Sequence, residues 1–316
     1  MHENIDDCKR TVATDGRVKY RLKNATVYVS PTGYHFTDFL DDTDELNTEI
    51  DIDALDDETT RYIESSLQSN KERFDRQAKL ADKYVDLNGA KALDVGCGGG
   101  KFLSLLARQG ADVTGIELSD SRAQYCRQTH GFAVHKTPIE NQQWQKQHRA
   151  SFDLVTLWDV IEHVNFPQQT LTAAANLLRP GGWLMIDTPC RDSFYYRAGR
   201  ATYALTGGRY PTFLNIMYSN HPFGHKQIFS TGELTRLFGQ VELEHINAHK
   251  LHEHSFPLEF YLEKLIPSKL GVRVATPVVQ CLSFLLRVKN KVIVVGQKKA
   301  ASEKKVPSEY SPKRVA

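Results

Sequence analysis

The chain has 316 residues, 41% hydrophobic and 10% aromatic, enough to bury a sizeable core, and its formal net charge of +2 gives no global case for a nucleic-acid partner. Its five cysteines, Cys8, Cys97, Cys126, Cys190 and Cys281, form no CxxC pair, so free thiols in a reducing compartment are expected rather than disulfides or structural zinc. The first residues, MHENIDDCKR, lack a secretory apolar core, and the most lipid-like run, Val278 to Leu286, is shorter than the roughly 20 residues that span a bilayer; a cytoplasmic protein is expected.

In chain order, ATVYVS and GYHFTDFL read as strand-like pieces, and Asp38 to Glu58 is rich in carboxylates with no Lys or Arg. Residues 1–56 are therefore read as an N-terminal extension, a degenerate small β module followed by an acidic linker. Ile63, Leu67, Phe74, Ala78 and Ala81 recur near helical spacing and predict one helix from about Asp57 to Tyr84. KALDVG then reads as a buried strand, and KFLSLLARQG as a helix that Gly110 closes. DVTGIEL is the next strand, DSRAQYCRQTH a helix with Gly131 beyond it, and FDLVTLWDV a third strand. PQQTLTAAANLLRPGG is a helix stopped by Pro180 and two glycines, and WLMIDTP a fourth strand. Strands alternating with helices at these intervals predict a parallel sheet covered on both faces.

After Pro189 the alternation breaks. Residues 190–229 are rich in Tyr, Arg, Phe and His without a clean period, and are read as a substrate lid insertion. Ser230 with Glu233 three residues on is a capping-box pattern that starts a helix, and VELEHINAHK reads as a strand. An apolar helical insertion is expected over 256–288, a last strand at KVIVVGQ, and a disordered Lys-rich tail over 299–316.

The stretch ALDVGCGGGKF, Ala92 to Phe102, is a glycine loop between a strand and a helix, which exposes backbone N–H groups at a helix N-terminus. A phosphate loop needs Ser or Thr after its lysine, and Lys101 is followed by Phe102. A dinucleotide fingerprint needs glycine where Lys101 stands, which disfavours a nucleotide-linked oxidoreductase. Asp94 beside the loop would repel a pyrophosphate but can accept from an ammonium group. Glu117, ending the second strand, can accept from both hydroxyls of a ribose. Ribose plus ammonium without phosphate points to S-adenosyl-L-methionine.

LDVGCGGGKF, VTGIELSD, FDLVTLWDVIEHV and LLRPGGWLMIDTP, in this order over roughly Arg73 to Asp187, resemble the class I S-adenosylmethionine-dependent methyltransferases. HKQIFSTGELTRLF and KVIVVGQ resemble the later helix and last strand of their ubiquinone-type and sugar- or lipid-modifying branches. The resemblance implies a Rossmann-like α/β fold with a mostly parallel seven-stranded sheet, here over residues 57–298. It also implies that Gly96, Cys97, Gly98 and Gly100 line the methionine side of the cofactor and that Asp94 accepts from its amino group. Glu117 would hold the ribose, Leu118 would lie on the adenine, Pro138 and Ile139 of KTPIEN would edge it, and Trp158 and Asp159 would flank the methionine moiety. Many relatives begin with a zinc ribbon; Cys8 stands alone here, and no zinc is expected.

Methyl transfer from a sulfonium is an in-line displacement, so a base is needed only when the acceptor must lose a proton. If a helix follows the third strand, Asp159, Glu162 and His163 fall at i, i+3 and i+4 on one face. Three readings stand for WDVIEHV: Glu162 and His163 brace the loop, His163 is a general base, or the three hold a divalent ion. Arg191, Tyr195, Tyr196, Tyr210, His221, His225 and Lys226 of the lid suit an anionic or ring-bearing acceptor, with His225 the foremost catalytic candidate. The apolar block packs on the sheet, forms a homodimer contact or touches a membrane surface. The expected function is methylation, at oxygen, of a small-molecule, glycan or lipid-linked acceptor; a non-catalytic cofactor-binding protein is the rival. A nucleic-acid acceptor is not expected, because WDVIEH replaces the Pro-Pro-Tyr motif of base methyltransferases.

Overall fold

The computed structural model describes residues 4–10, 17–41, 55–211, 213–220, 224–253, 258–263, 266–285 and 288–300. His221, most of the acidic stretch and the tail from 301 on lie outside the described residues. The chain opens with α1 (Ile5–Arg10) and an antiparallel sheet of β1 (Arg17–Arg21), β2 (Thr26–Val29) and β3 (His35–Thr37). Two helices follow, α2 (Asp57–Ser69) and α3 (Lys71–Tyr84). The single helix expected there breaks at Asn70, where Ser69 Oγ and Asn70 Nδ2 both donate to the Ser66 carbonyl at 2.9 Å, competing with the helical ladder.

The alternating half then forms: β4 (Lys91–Val95), α4 (Lys101–Ala107), β5 (Asp112–Ile116), α5 (Asp120–His130), β6 (Ala133–His135), α6 (Gln142–His148), β7 (Phe152–Trp158), α7 (Pro167–Leu177) and β8 (Leu178–Pro189). Beyond it come α8 (Phe194–Leu205), α9 (Leu214–Met217), α10 (Thr231–Gln240), β9 (Leu243–Leu251), α11 (Leu258–Glu263), α12 (Lys269–Leu285) and β10 (Lys291–Lys298). The expected capping box closes α10, with Glu233 N donating to Ser230 Oγ at 3.3 Å and Ser230 N to Glu233 Oε2 at 2.9 Å.

Seven strands form one sheet in the order β6-β5-β4-β7-β8-β10-β9, parallel except for β10, which lies antiparallel between β8 and β9. All seven residues of β7 are buried, as a central strand covered on both faces requires. Leu154, Val155 and Leu157 are fully buried there, and each such side chain stabilises the fold by about 1.5–3 kcal/mol. The register sets Asp94 beside Thr156, and Trp158 beside Asp187. Because β10 is reversed, its first residue, Lys291, stands opposite Pro189 at the carboxyl edge of the parallel strands.

The N-terminal segment is stitched onto that edge. Phe36 bridges to Gln227, and the Asp6 carboxylate accepts from Gln168 N at 3.1 Å and Gln169 N at 2.8 Å. It thereby satisfies the first turn of α7, whose N-cap residue, Phe166, supplies no side-chain bond.

Candidate functional site

The glycine loop leaves β4 at Val95 and turns sharply, with Gly96 N and Cys97 N donating to Ile116 O at 2.7 and 3.0 Å. Gly96, Gly98 and Gly100 all have positive φ (73°, 54° and 78°), where an L side chain is strained. A Cβ on Gly96 would come within 2.7 Å of Val160, and one on Gly100 would run into the Cys126 thiol. Ile63 and Leu67 of α2 lie over the loop, 3.1 and 3.0 Å from where a Gly99 Cβ would stand.

Asp94 is buried at the base of the loop, its Oδ1 accepting from Thr156 Oγ1 at 2.7 Å, and burial pushes its carboxyl up to about 8. Glu117 lies just past β5, and its two oxygens accept from Gly98 N at 2.7 Å and Ser119 N at 2.9 Å. The carboxylate expected at a ribose therefore also ties the second strand end to the glycine loop. Leu118 is half-buried, Ile139 is buried in the core, Pro138 is exposed, and Cys97 is buried. Trp158 is buried edge-on against Phe102, and its indole Nε1 has no partner.

Residues 160–163 form a hydrogen-bonded turn, His163 N to Val160 O at 2.9 Å, and not the helix on which the expected spacing of Asp159, Glu162 and His163 depended. The cause is Asp159, whose φ of 53° departs from the helical region. Its carboxylate is held by Arg73 Nη2 at 2.8 Å and by Lys291 Nζ. The ligand atoms that converge are those of Glu162, His163 and His225, all within 4.8 Å of one another.

Neither carboxylate oxygen of Glu162 has a hydrogen-bond partner, and burial, followed by the charge on Asp159, pushes its carboxyl well above the usual range. His163 Nδ1 donates to Gly224 O at 3.3 Å and His225 Nδ1 to Met217 O at 3.1 Å. A carbonyl can only accept, so Nδ1 carries a proton in each ring, and an imidazole in its neutral form then has its lone pair on Nε2. The rings meet edge-on at 4.8 Å, and burial, then His163, lowers His225 to about 3.

Beside this group lies a buried ionic cluster that the sequence pattern did not single out. Arg73 of α3 and Lys291 of β10 face Asp159, Asp187 and Glu253: Arg73 Nη2 lies 3.4 Å from Asp187 Oδ2 and its Nε 3.0 Å from Glu253 Oε1, while Lys291 Nζ lies 3.8 Å from Glu253 and 4.0 Å from Asp187. Asp187 also accepts from Gln77 Nε2 at 3.2 Å and Asp159 N at 2.6 Å. The only local signals were an aspartate at a strand's carboxyl end and a lysine opening an apolar strand.

The other candidates from residues 190–229 that lie among the described residues are engaged in packing or exposed. Arg191 is held by Glu233 at 2.6 Å and Gly33 O at 2.8 Å. Tyr196 Oη lies 2.6 Å from His35 Nδ1 and 3.2 Å from Tyr218 Oη, Tyr195 meets Ser283, and Tyr210 is exposed. Lys226 is fully buried, bonded to Asp41 Oδ2 at 2.5 Å and to His163 O. Gln227 Nε2 donates to Ile161 O at 2.7 Å and Val164 O at 2.9 Å, so the segment carrying His225 grips the turn carrying Glu162 and His163.

A family profile described as a methyltransferase domain matches residues 63–248. A ubiquinone biosynthesis O-methyltransferase of Thiobacillus denitrificans is 31% identical over 169 residues, 52% of this chain and 69% of that protein. Proteins of the same name from Marinobacter nauticus and Coxiella burnetii are 35% and 29% identical over 39% and 59% of this chain. The alignments span 55% and 77% of those two relatives' lengths. Among solved structures, the YcgJ protein of Bacillus subtilis superposes with a TM-score of 0.50 at 12% identity, covering 73% of this chain and 100% of that one, a likeness of fold.

Proposed function

The chain belongs to the class I S-adenosylmethionine-dependent methyltransferases, and from that premise we propose that it methylates a hydroxyl oxygen of a small-molecule acceptor whose proton leaves to His163. S-adenosylmethionine supplies an electrophilic methyl group on a sulfonium. The residues present suit that group: three left-handed glycines leave room at the loop, Asp94 can accept from the ammonium, and Glu117 from the ribose hydroxyls. Arg73 and Lys291, paired here with Asp159, are the cations that would exchange that partner for the amino-acid carboxylate. Trp158 excludes water beside the loop. The relatives' description as ubiquinone biosynthesis O-methyltransferases supports oxygen as the methylated atom.

The observation that carries the acceptor side is the convergence of Glu162 with two imidazoles whose Nδ1 atoms are fixed by carbonyls. His163 Nε2 takes the hydroxyl proton, and the ionised carboxylate of Asp159 favours the imidazolium that results. His225, neutral over the working range, packs on His163 and orients it. The same unpartnered carboxylate and two lone pairs also suit a divalent ion, which would acidify the hydroxyl directly. That second reading uses His225 in place of Asp159.

The test is formation of S-adenosylhomocysteine from the full chain with a panel of phenols, glycans and lipid-linked alcohols. His163→Ala should lose about 100-fold or more in turnover while calorimetry shows the cofactor still bound. Near-normal turnover in His163→Ala would remove the base. Activity lost to a chelator, restored by a divalent ion, and one bound ion lost in Glu162→Gln would select the metal reading.

A further inference from the structure

Helix α12 carries its large apolar side chains on the side that a protein surrounded by water would keep polar. Leu270, Val274, Val278 and Leu282 recur every four residues, so they form one stripe along the helix, and they are 72%, 61%, 53% and 50% exposed. Phe284 extends the stripe at 83% exposure, and Cys281 beside it is exposed. The face turned to the protein consists of Val272, Thr276 and Ser283, all buried. Thr276 Oγ1 bonds back to Val272 O at 3.0 Å, and Ser283 Oγ meets Tyr195 Oη of α8 at 3.4 Å. Isolated exposed aliphatics are ordinary, but a continuous stripe on the outer face of a helix is not.

The charges around the stripe say what covers it. Lys269 and Arg273 lie on α12, which contains no carboxylate, and exposed Lys289 follows it. We propose that α12 lies flat on an anionic lipid bilayer, its aliphatic stripe among the acyl chains and its lysine and arginine at the headgroups. A second copy of the chain fits the face less well, because its α12 offers no carboxylate to these cations, whereas anionic headgroups do. The helix lies on the membrane rather than through it: 17 residues reach about 25 Å, less than the roughly 30 Å hydrocarbon core, and no helix among the described residues is long and apolar enough to cross. Phe194, 51% exposed at the start of α8, precedes Tyr195, which touches the Ser283 end of α12. A membrane under α12 therefore also meets the beginning of the insertion that carries His225. The surface is independent of the acceptor's identity.

The test is flotation of the full chain with vesicles of phosphatidylcholine alone and of phosphatidylcholine mixed with phosphatidylglycerol. The protein should rise with the anionic vesicles, less so at high salt, and far less with the neutral ones. The combined variant Leu270→Ser, Val274→Ser, Val278→Ser and Leu282→Ser should bind roughly a hundredfold more weakly while keeping the wild-type thermal midpoint and cofactor affinity, since all four side chains are exposed. Lys269→Ala with Arg273→Ala should abolish the preference for anionic lipid. Three results would each overturn the proposal: no flotation of the wild type, equal flotation of the serine variant, or a lipid-free wild-type dimer that the serine substitutions convert to monomer.

Discussion

Lys291→Met removes one cation from the buried cluster while keeping the length and most of the volume of the side chain. The ammonium is 4% exposed, is paired with Asp159, and lies 3.8 Å from Glu253 and 4.0 Å from Asp187. Without it, Arg73 faces the three carboxylates, helped only at Glu253 by the half-exposed Arg76. One unit pair at 4 Å is worth about 4 kcal/mol at an effective dielectric of 20, and breaking a buried pair by removing one partner costs about 3–5 kcal/mol. In a domain of this size that corresponds to a fall of roughly 6–20 °C in Tm, measurable by calorimetry at neutral pH. Burial works to raise the Asp159 carboxyl, but Arg73 and Lys291 outweigh it and hold it below the usual carboxylate range. Its contribution is therefore present above the unfolded value, about 3.9, and is lost only as pH falls through the lower folded value. The deficit of Lys291→Met should be full at neutral pH and shrink in acid as the carboxylates protonate. Asp159→Asn in the same chain should restore about 1–3 kcal/mol. A single variant within about 1 kcal/mol of wild type, or strictly additive effects in the double variant, would show that the cluster is solvated and the reasoning wrong.

Three other outcomes follow from the loop and the acceptor side. Gly100→Ala should abolish cofactor binding in calorimetry, because φ is 78° and the new methyl meets Cys126; unchanged affinity would mean that the loop is not the cofactor site. Glu162→Gln should raise Tm at neutral pH. A carboxyl raised by burial costs stability above its unfolded value near 4.3, by up to about 1.4 kcal/mol per pH unit until the folded value is reached, so the gain should vanish near pH 4. A less stable glutamine variant at neutral pH would contradict this account. Asp94, pushed up to about 8 by burial, is mostly protonated at pH 7 and must ionise to accept an ammonium ion. Cofactor binding should thus release close to one proton, seen as a dependence of the calorimetric enthalpy on buffer ionisation that Asp94→Asn removes; a buffer-independent enthalpy would argue against an Asp94 ion pair.

What could be seen in the sequence and what could not divides along sequence separation. Strands β4, β5 and β7 announce themselves by apolar runs ending in glycine or a polar residue, and the turn chemistry of Gly96 to Gly100 acts within a few residues. Glu162 and His163 are adjacent, so their pairing needed only the end of β7 to be located. The charges that surround them are another matter. Arg73 lies 218 residues from Lys291, and each alone resembles a solvated surface cation. Lys291 is enclosed only because β10 runs backward between β8 and β9 and brings its first residue to the carboxyl edge of the sheet. Asp6 reaches α7 from more than 160 residues away for the same reason: tertiary placement, and no local pattern, supplies the missing cap. The helix expected after β7 fails for a related cause, since Asp159 holds a left-handed backbone beside Arg73, Lys291 and the Asp187 carboxylate. Several departures from local rules thus meet at one point at the edge of the sheet. A fold maintains a left-handed aspartate, a carboxylate without a partner and buried unlike charges together where chemistry requires them, and that concentration supports the assignment of this edge as the active centre.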